Sequence, residues 1–108
     1  MYIAMNRFRI KRGEEATFEQ IWHERDTFLG DVPGFRSFHL LKGPEADDHT
    51  LFASHTVWET YQAFVNWTHS DEFKMAHAQA GARRDIYLGP PQFEGFEAVM
   101  EQGPTYHY

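Results

Sequence analysis

Two hydrophobic periodicities take turns along these 108 residues, and their order limits the chain to very few folds. Residues 2–10 alternate: Tyr2, Ala4, Asn6, Phe8 and Ile10 share one face, and Ile3, Met5, Arg7 and Arg9 share the other. A period of two predicts a strand. Phe18, Ile21, Trp22, Arg25, Phe28 and Leu29 then recur at helical spacing, behind an acidic pair, Glu14-Glu15, that favours a helix N-terminus. Gly30 supplies the stop. Residues 35–41 and 50–58 read as two more strands, joined by the polar, turn-prone stretch Gly43-Pro44-Glu45-Ala46-Asp47-Asp48. From Glu59 to about Ala80 the pattern is helical again, in two pieces. Tyr61, Phe64, Val65 and Trp67 cluster on the first piece, and Ser70-Asp71 can cap the second, which carries Phe73, Lys74, Ala76 and His77. Residues 81–91 are irregular, and residues 93–101 read as a last strand.

With the broken helical stretch counted as one unit, the order is β-α-β-β-α-β. This predicts an α+β, ferredoxin-like domain over residues 1–108, an antiparallel sheet with its helices on one face. A chain this short has nothing left to cover the other face. A second copy is the economical cover, so a homodimer is expected.

Composition narrows the function. The net charge of -6 argues against nucleic-acid binding, which needs a basic footprint. The absence of cysteine excludes disulfide scaffolds, thiolate zinc sites, iron–sulfur clusters and thiol catalysis. No apolar run approaches the roughly 20 residues that span a bilayer, and Met1 to Arg7 has no basic segment followed by a long apolar one. No membrane insertion is therefore expected, and a cytoplasmic protein is the default. Aromatics make up 17% of the residues, which points to a dense core or to a pocket for a flat apolar ligand.

Three residues could carry chemistry. Asn6 lies in phase with Ala4 and Phe8, so it is either a core amide bonded to backbone or a donor placed in an apolar site. His77 sits between Ala76 and Ala78, small neighbours that leave room for something flat. It is either a half-exposed helical histidine or a neutral imidazole aimed at a metal or haem iron. No second histidine or carboxylate stands at zinc-like spacing from it, so a single axial ligand to haem fits better than a zinc site. Trp67 is either core or the wall of a pocket for a planar ligand. Arg83-Arg84 is a solvated loop or a counter-charge for ligand carboxylates. His39 and His55, in adjacent strands, could meet across the sheet, an arrangement that is more often structural. No Gly-x-Ser-x-Gly elbow, phosphate-binding loop or dinucleotide fingerprint is present.

The segment Met5-Asn6-Arg7-Phe8 resembles the first strand of the antibiotic biosynthesis monooxygenase superfamily, and in particular its Isd-type heme-degrading monooxygenases. Val57-Trp58 follows in the expected place. The run from Ala63 through Phe64, Trp67, Ser70 and Phe73 to Ala76-His77 is similar to that family's Ala-Phe-x-x-Trp-x-x-Ser-x-x-Phe-x-x-Ala-His pattern. The resemblance implies that His77 is the axial haem ligand, Asn6 the distal amide, and Trp67 the distal indole that crowds the porphyrin out of plane. Phe64 and Phe73 would line the slot; the resemblance does not carry over the propionate contacts, for which Arg83 and Arg84 are candidates by their charge alone. It further implies a homodimer whose two sheets form a barrel. Haem would be both substrate and oxygen-activating group, O2 the co-substrate, and a reductase or small-molecule reductant the external electron donor. Two alternatives stand beside this: a cofactor-independent oxygenase of a polycyclic phenol, and a non-catalytic haem-binding protein.

Overall fold

A computed structural model describes residues 1–78 and 83–104. Four strands form one antiparallel sheet: β1 (Tyr2–Lys11), β2 (Phe35–Glu45), β3 (His49–Trp58) and β4 (Gln92–Glu97). Their order across the sheet is β2-β3-β1-β4. The helices α1 (Glu15–Glu24), α2 (Tyr61–Thr68) and α3 (Asp71–Ala78), with a short 3-10 turn at Arg84–Ile86, complete a ferredoxin-like domain. Of the segments expected from sequence, residues 79–82 and 105–108 lie outside the described residues.

The alternation in β1 sorts its side chains as its period demands. Tyr2, Ala4, Phe8 and Ile10 are buried beneath the helices, and Ile3, Met5, Arg7 and Arg9 face the other way. Two separate apolar clusters result. One gathers Phe8, Ile10, Phe18, Phe52 and Ile86 under α1. The other gathers Tyr2, Ala4, Leu29 and Trp58, with Phe64 and Trp67 of α2 packed against them. Asn6 stands on β1 at the division between the two.

Three elements differ from the periodicity reading. The first helix ends at Glu24 rather than near Leu29, because Arg25 is already extended, at φ -82° and ψ 133°. The Asp26 carboxylate then accepts the Phe28 N–H at 2.9 Å, and Phe28 takes a φ of +56°. A local side-chain turn thus outcompetes the next helical turn. β2 runs on to Glu45 through a register irregularity between Lys42 and Glu45. Pro44 is tolerated there because β2 is an edge strand with no second neighbour awaiting its missing N–H. β4 stops at Glu97, where its partner β1 runs out at Tyr2.

The break between α2 and α3 is built by side chains. Thr60 caps α2 by accepting the Ala63 N–H at 3.0 Å. Ser70 donates to the Trp67 carbonyl at 2.6 Å and accepts the Phe73 N–H at 3.2 Å, ending one helix and starting the next. Gly34, with φ +81°, lets the chain pass α2, where an added Cβ would collide with the Ala63 side chain. Gly34→Ala is expected to destabilise the fold by about 1–3 kcal/mol, read as a lower urea midpoint at unchanged slope.

The molecule is a slab, 48 × 37 × 23 Å, with a radius of gyration of 15.6 Å against roughly 13 Å for a globular chain of this length. One layer of helices covers one face of the sheet. The opposite face presents Ile3, Met5, Leu41, Val57 and Phe96, of which Leu41 and Phe96 are 41% and 46% exposed.

Candidate functional site

A cleft of about 840 Å³ opens between the helices and the sheet where the two apolar clusters part. Its floor is Ala4, Asn6, Phe8, Ser54 and Thr56. The register explains this floor: Asn6 pairs with Ser54 and Ala4 with Thr56, so small and polar side chains lie side by side beneath the gap.

Of the candidates expected from sequence, Asn6, Phe64, Trp67, Phe73, His77 and Arg84 all line this one cleft. Arg83 is not among its lining residues. It donates instead from Nε and Nη2 to Asp85, at 3.1 and 3.2 Å. That partner keeps the Asp85 carboxyl below the usual carboxylate range.

His77 projects from the last turn of α3 and is exposed. Its Nδ1 lies 2.8 Å from the Phe73 carbonyl one turn back. A carbonyl oxygen only accepts, so Nδ1 is the donor, and the tautomer this selects has its lone pair on Nε2. Phe73 also stacks on the imidazole, at 3.9 Å between ring centroids. The ring is therefore oriented twice, by a bond and by a stack, and an oriented imidazole is a better metal donor than a free one.

Trp67 is wedged between Trp58 and Phe73, at centroid distances of 5.3 and 4.8 Å, and stands 6.2 Å from the His77 ring. Close packing on two sides leaves the indole little room to retreat. The Trp58 N–H, by contrast with that of Trp67, is satisfied: it donates to the Thr56 hydroxyl at 3.0 Å, which donates to the Ala4 carbonyl at 3.2 Å. Trp67 Nε1 is buried without a partner among the described residues.

Arg25 is the residue that sequence reasoning passed over. Its guanidinium lies 4.5 Å over the Trp22 ring and lines the cleft, with Nε buried and without a partner among the described residues. Desolvation pushes its pKa below the ordinary arginine value, although nearby Tyr87 opposes this and the group stays cationic. The signal was present: a cation stood within the apolar stripe of the first helix, where a surface position would have been ordinary. Tyr87, also in the lining, is held neutral by burial, which raises its pKa.

An aromatic slot with one oriented imidazole, two cations (Arg25 and Arg84) and two buried unpartnered N–H groups fits a large, flat, apolar dianion that carries a metal. Haem has that chemistry, and the donor set fits it. Among the described residues, no three histidine, aspartate or glutamate side chains group closely enough to hold a metal ion by themselves. No described helix is long and apolar enough to cross a membrane.

The chain is similar to several known proteins. A staphylobilin-producing heme oxygenase of Staphylococcus aureus is 26% identical over 89 residues, 82% of each chain. The heme degrader MhuD of Mycobacterium tuberculosis, solved with two hemes in its active site, superposes with a TM-score of 0.69 at 26% identity, over 95% of this chain and all of that one. SnoaB of Streptomyces nogalater, a cofactor-independent oxygenase, shares the fold at a TM-score of 0.63 and 22% identity, over 93% of this chain and 95% of that one. The family model for antibiotic biosynthesis monooxygenases matches residues 1–79, and the chain belongs to that family.

Proposed function

We propose that this chain is a heme-degrading monooxygenase, with haem as its substrate. The observation that carries the reading is the convergence of Asn6, Trp67 and an oriented His77 on one cleft. The two relatives that share about a quarter of its residues and are described as acting on heme support the same substrate.

Haem would supply the iron that activates O2 and the ring carbon that is oxidised. His77 would hold the iron through Nε2, the nitrogen left free by the Nδ1 bond to Phe73. Asn6 brings an amide N–H to the floor of the cleft, where it would donate to a nearby oxygen and stabilise negative charge developing on it. Trp67, braced by Trp58 and Phe73, has little room to retreat and would press on a planar ring bound in the cleft. Arg25 and Arg84 offer charge-assisted hydrogen bonds to two carboxylates. Electrons would come from a separate reductase or a small-molecule reductant. A second copy would cover the open sheet face, making a homodimer with one such cleft per subunit.

Titrating hemin into the purified protein is expected to give the Soret band of a His-ligated ferric haem. Adding ascorbate in air then bleaches that band and delivers iron to a chelator. A band that persists under reductant identifies a haem carrier instead. Turnover of a polycyclic phenol by hemin-free protein identifies a cofactor-independent oxygenase. Trp67→Phe keeps a ring against Trp58 and Phe73 but removes indole bulk and the N–H. It is expected to slow bleaching about tenfold or more with hemin binding retained, because small losses of reacting geometry are costly in rate. A wild-type rate would reduce Trp67 to packing.

A further inference from the structure

We propose that Tyr87 is a specificity-determining residue of the cleft: its phenol O–H donates to a carboxylate of the bound ring, beside Arg25, and selects a carboxylate-bearing porphyrin over one with alkyl groups alone. The proposal rests on the reading of the cleft as a haem site. Tyr87 and Arg25 both line the cleft. They reach it from different elements: Arg25 ends α1, and Tyr87 follows the 3-10 turn Arg84–Ile86.

Tyr87 is held in place on three sides. Ile86, the residue before it, is fully buried in the core. Tyr87 itself bridges to Ile10, and its N–H donates to the Arg84 carbonyl at 3.2 Å. Leu88, the residue after it, is fastened to β1 twice: its N–H donates to the Arg9 carbonyl at 2.9 Å, and Arg9 Nη2 donates to its carbonyl at 2.6 Å. The Tyr87 ring packs edge-on against Phe18, at 5.9 Å and 90°, and lies 6.2 Å from Phe8. Backbone and ring body are thus both fixed, and a phenol held this way is preorganised for whatever its polar tip meets.

The chemistry is complementary to a carboxylate, which accepts about four hydrogen bonds on two oxygens. One flat face of the Arg25 guanidinium is covered by Trp22 at 4.5 Å, so its in-plane N–H groups are what it offers a ligand. The phenol adds an O–H donor without adding charge, and O–H···O⁻ bonds belong to the short, strong class. Burial raises the Tyr87 pKa against the opposing Arg25 cation, so the proton stays on the oxygen. A site built to hydrogen-bond its ligand rejects an analogue that leaves those groups unpaired.

The test compares hemin with iron(III) etioporphyrin, which keeps the iron and the flat ring but carries only alkyl substituents. Binding to the full chain is followed by quenching of tryptophan fluorescence. Tyr87→Phe keeps the ring against Phe8 and Phe18 and removes only the hydroxyl. It is expected to weaken hemin binding about 10- to 100-fold, the loss of one hydrogen bond to a charged group, and to leave etioporphyrin binding unchanged. Tyr87→Ala, which also removes the ring, weakens both ligands. Equal weakening of both ligands in Tyr87→Phe reduces the residue to packing and overturns the proposal, as does an unchanged hemin affinity. Wild-type protein that binds no hemin overturns the reading of the cleft and this inference with it, so the two failures are told apart.

Discussion

Replacing His77 with alanine is expected to weaken hemin binding by about 100-fold or more and to abolish the Soret band of a His-ligated haem. Removal of an outer partner of a metal ligand already costs about 10–100-fold, so removal of the ligand itself costs at least the upper end of that range. The fold is not the casualty. His77 is exposed in the last turn of α3, and alanine is the better helix former there. Far-ultraviolet circular dichroism and the urea midpoint should match the wild type, and added imidazole should restore part of the spectrum. His77→Ala protein that binds hemin as the parent does would remove the axial assignment and the proposed function with it. Phe73→Leu provides an intermediate case. It keeps the Phe73 backbone carbonyl that fixes the tautomer, while removing the ring stacked at 3.9 Å.

Asn6→Ala separates binding from turnover. The amide lies on the floor of the cleft, half-buried, on the strand that divides the two apolar clusters. It contributes no large apolar surface, so its loss leaves the core and the hemin Soret band in place. A preorganised donor aimed at developing charge is worth roughly 10²–10³ in rate, and the reductant-driven bleaching rate is expected to fall by that factor. Asn6→Ser, a shorter donor, should recover part of it. Full activity in Asn6→Ala would make the residue a floor-packing group.

Much of this molecule was legible without coordinates, for identifiable reasons. The order of elements followed from periodicity, because strand and helix geometry fix where each side chain points. The Ser70 cap and the stop before it were visible as residue types. Asn6 was singled out as an amide in phase with apolar neighbours, His77 as an imidazole between the small Ala76 and Ala78, and Trp67 as an indole at the end of the first helical piece. The lengths of elements were less legible. The Asp26 carboxylate bonding to the Phe28 N–H cut α1 short of its apolar stripe, and a periodicity count does not weigh that competition. The two neighbouring arginines looked alike in sequence, yet the local pair with Asp85 holds Arg83 while Arg84 lines the cleft.

The primary structure alone determined which residues face the helices, where the chain turns, and which amide, indole and imidazole were candidates for chemistry. These are local properties, set by backbone geometry within a few residues. Only tertiary packing decided that the three share one gap, that Arg25 is drawn into it beside Trp22, and that His39, His55 and Met5 line up across the opposite face. Those outcomes depend on how two apolar clusters fill space from opposite ends of one sheet. The void left between them belongs to no single segment of the chain.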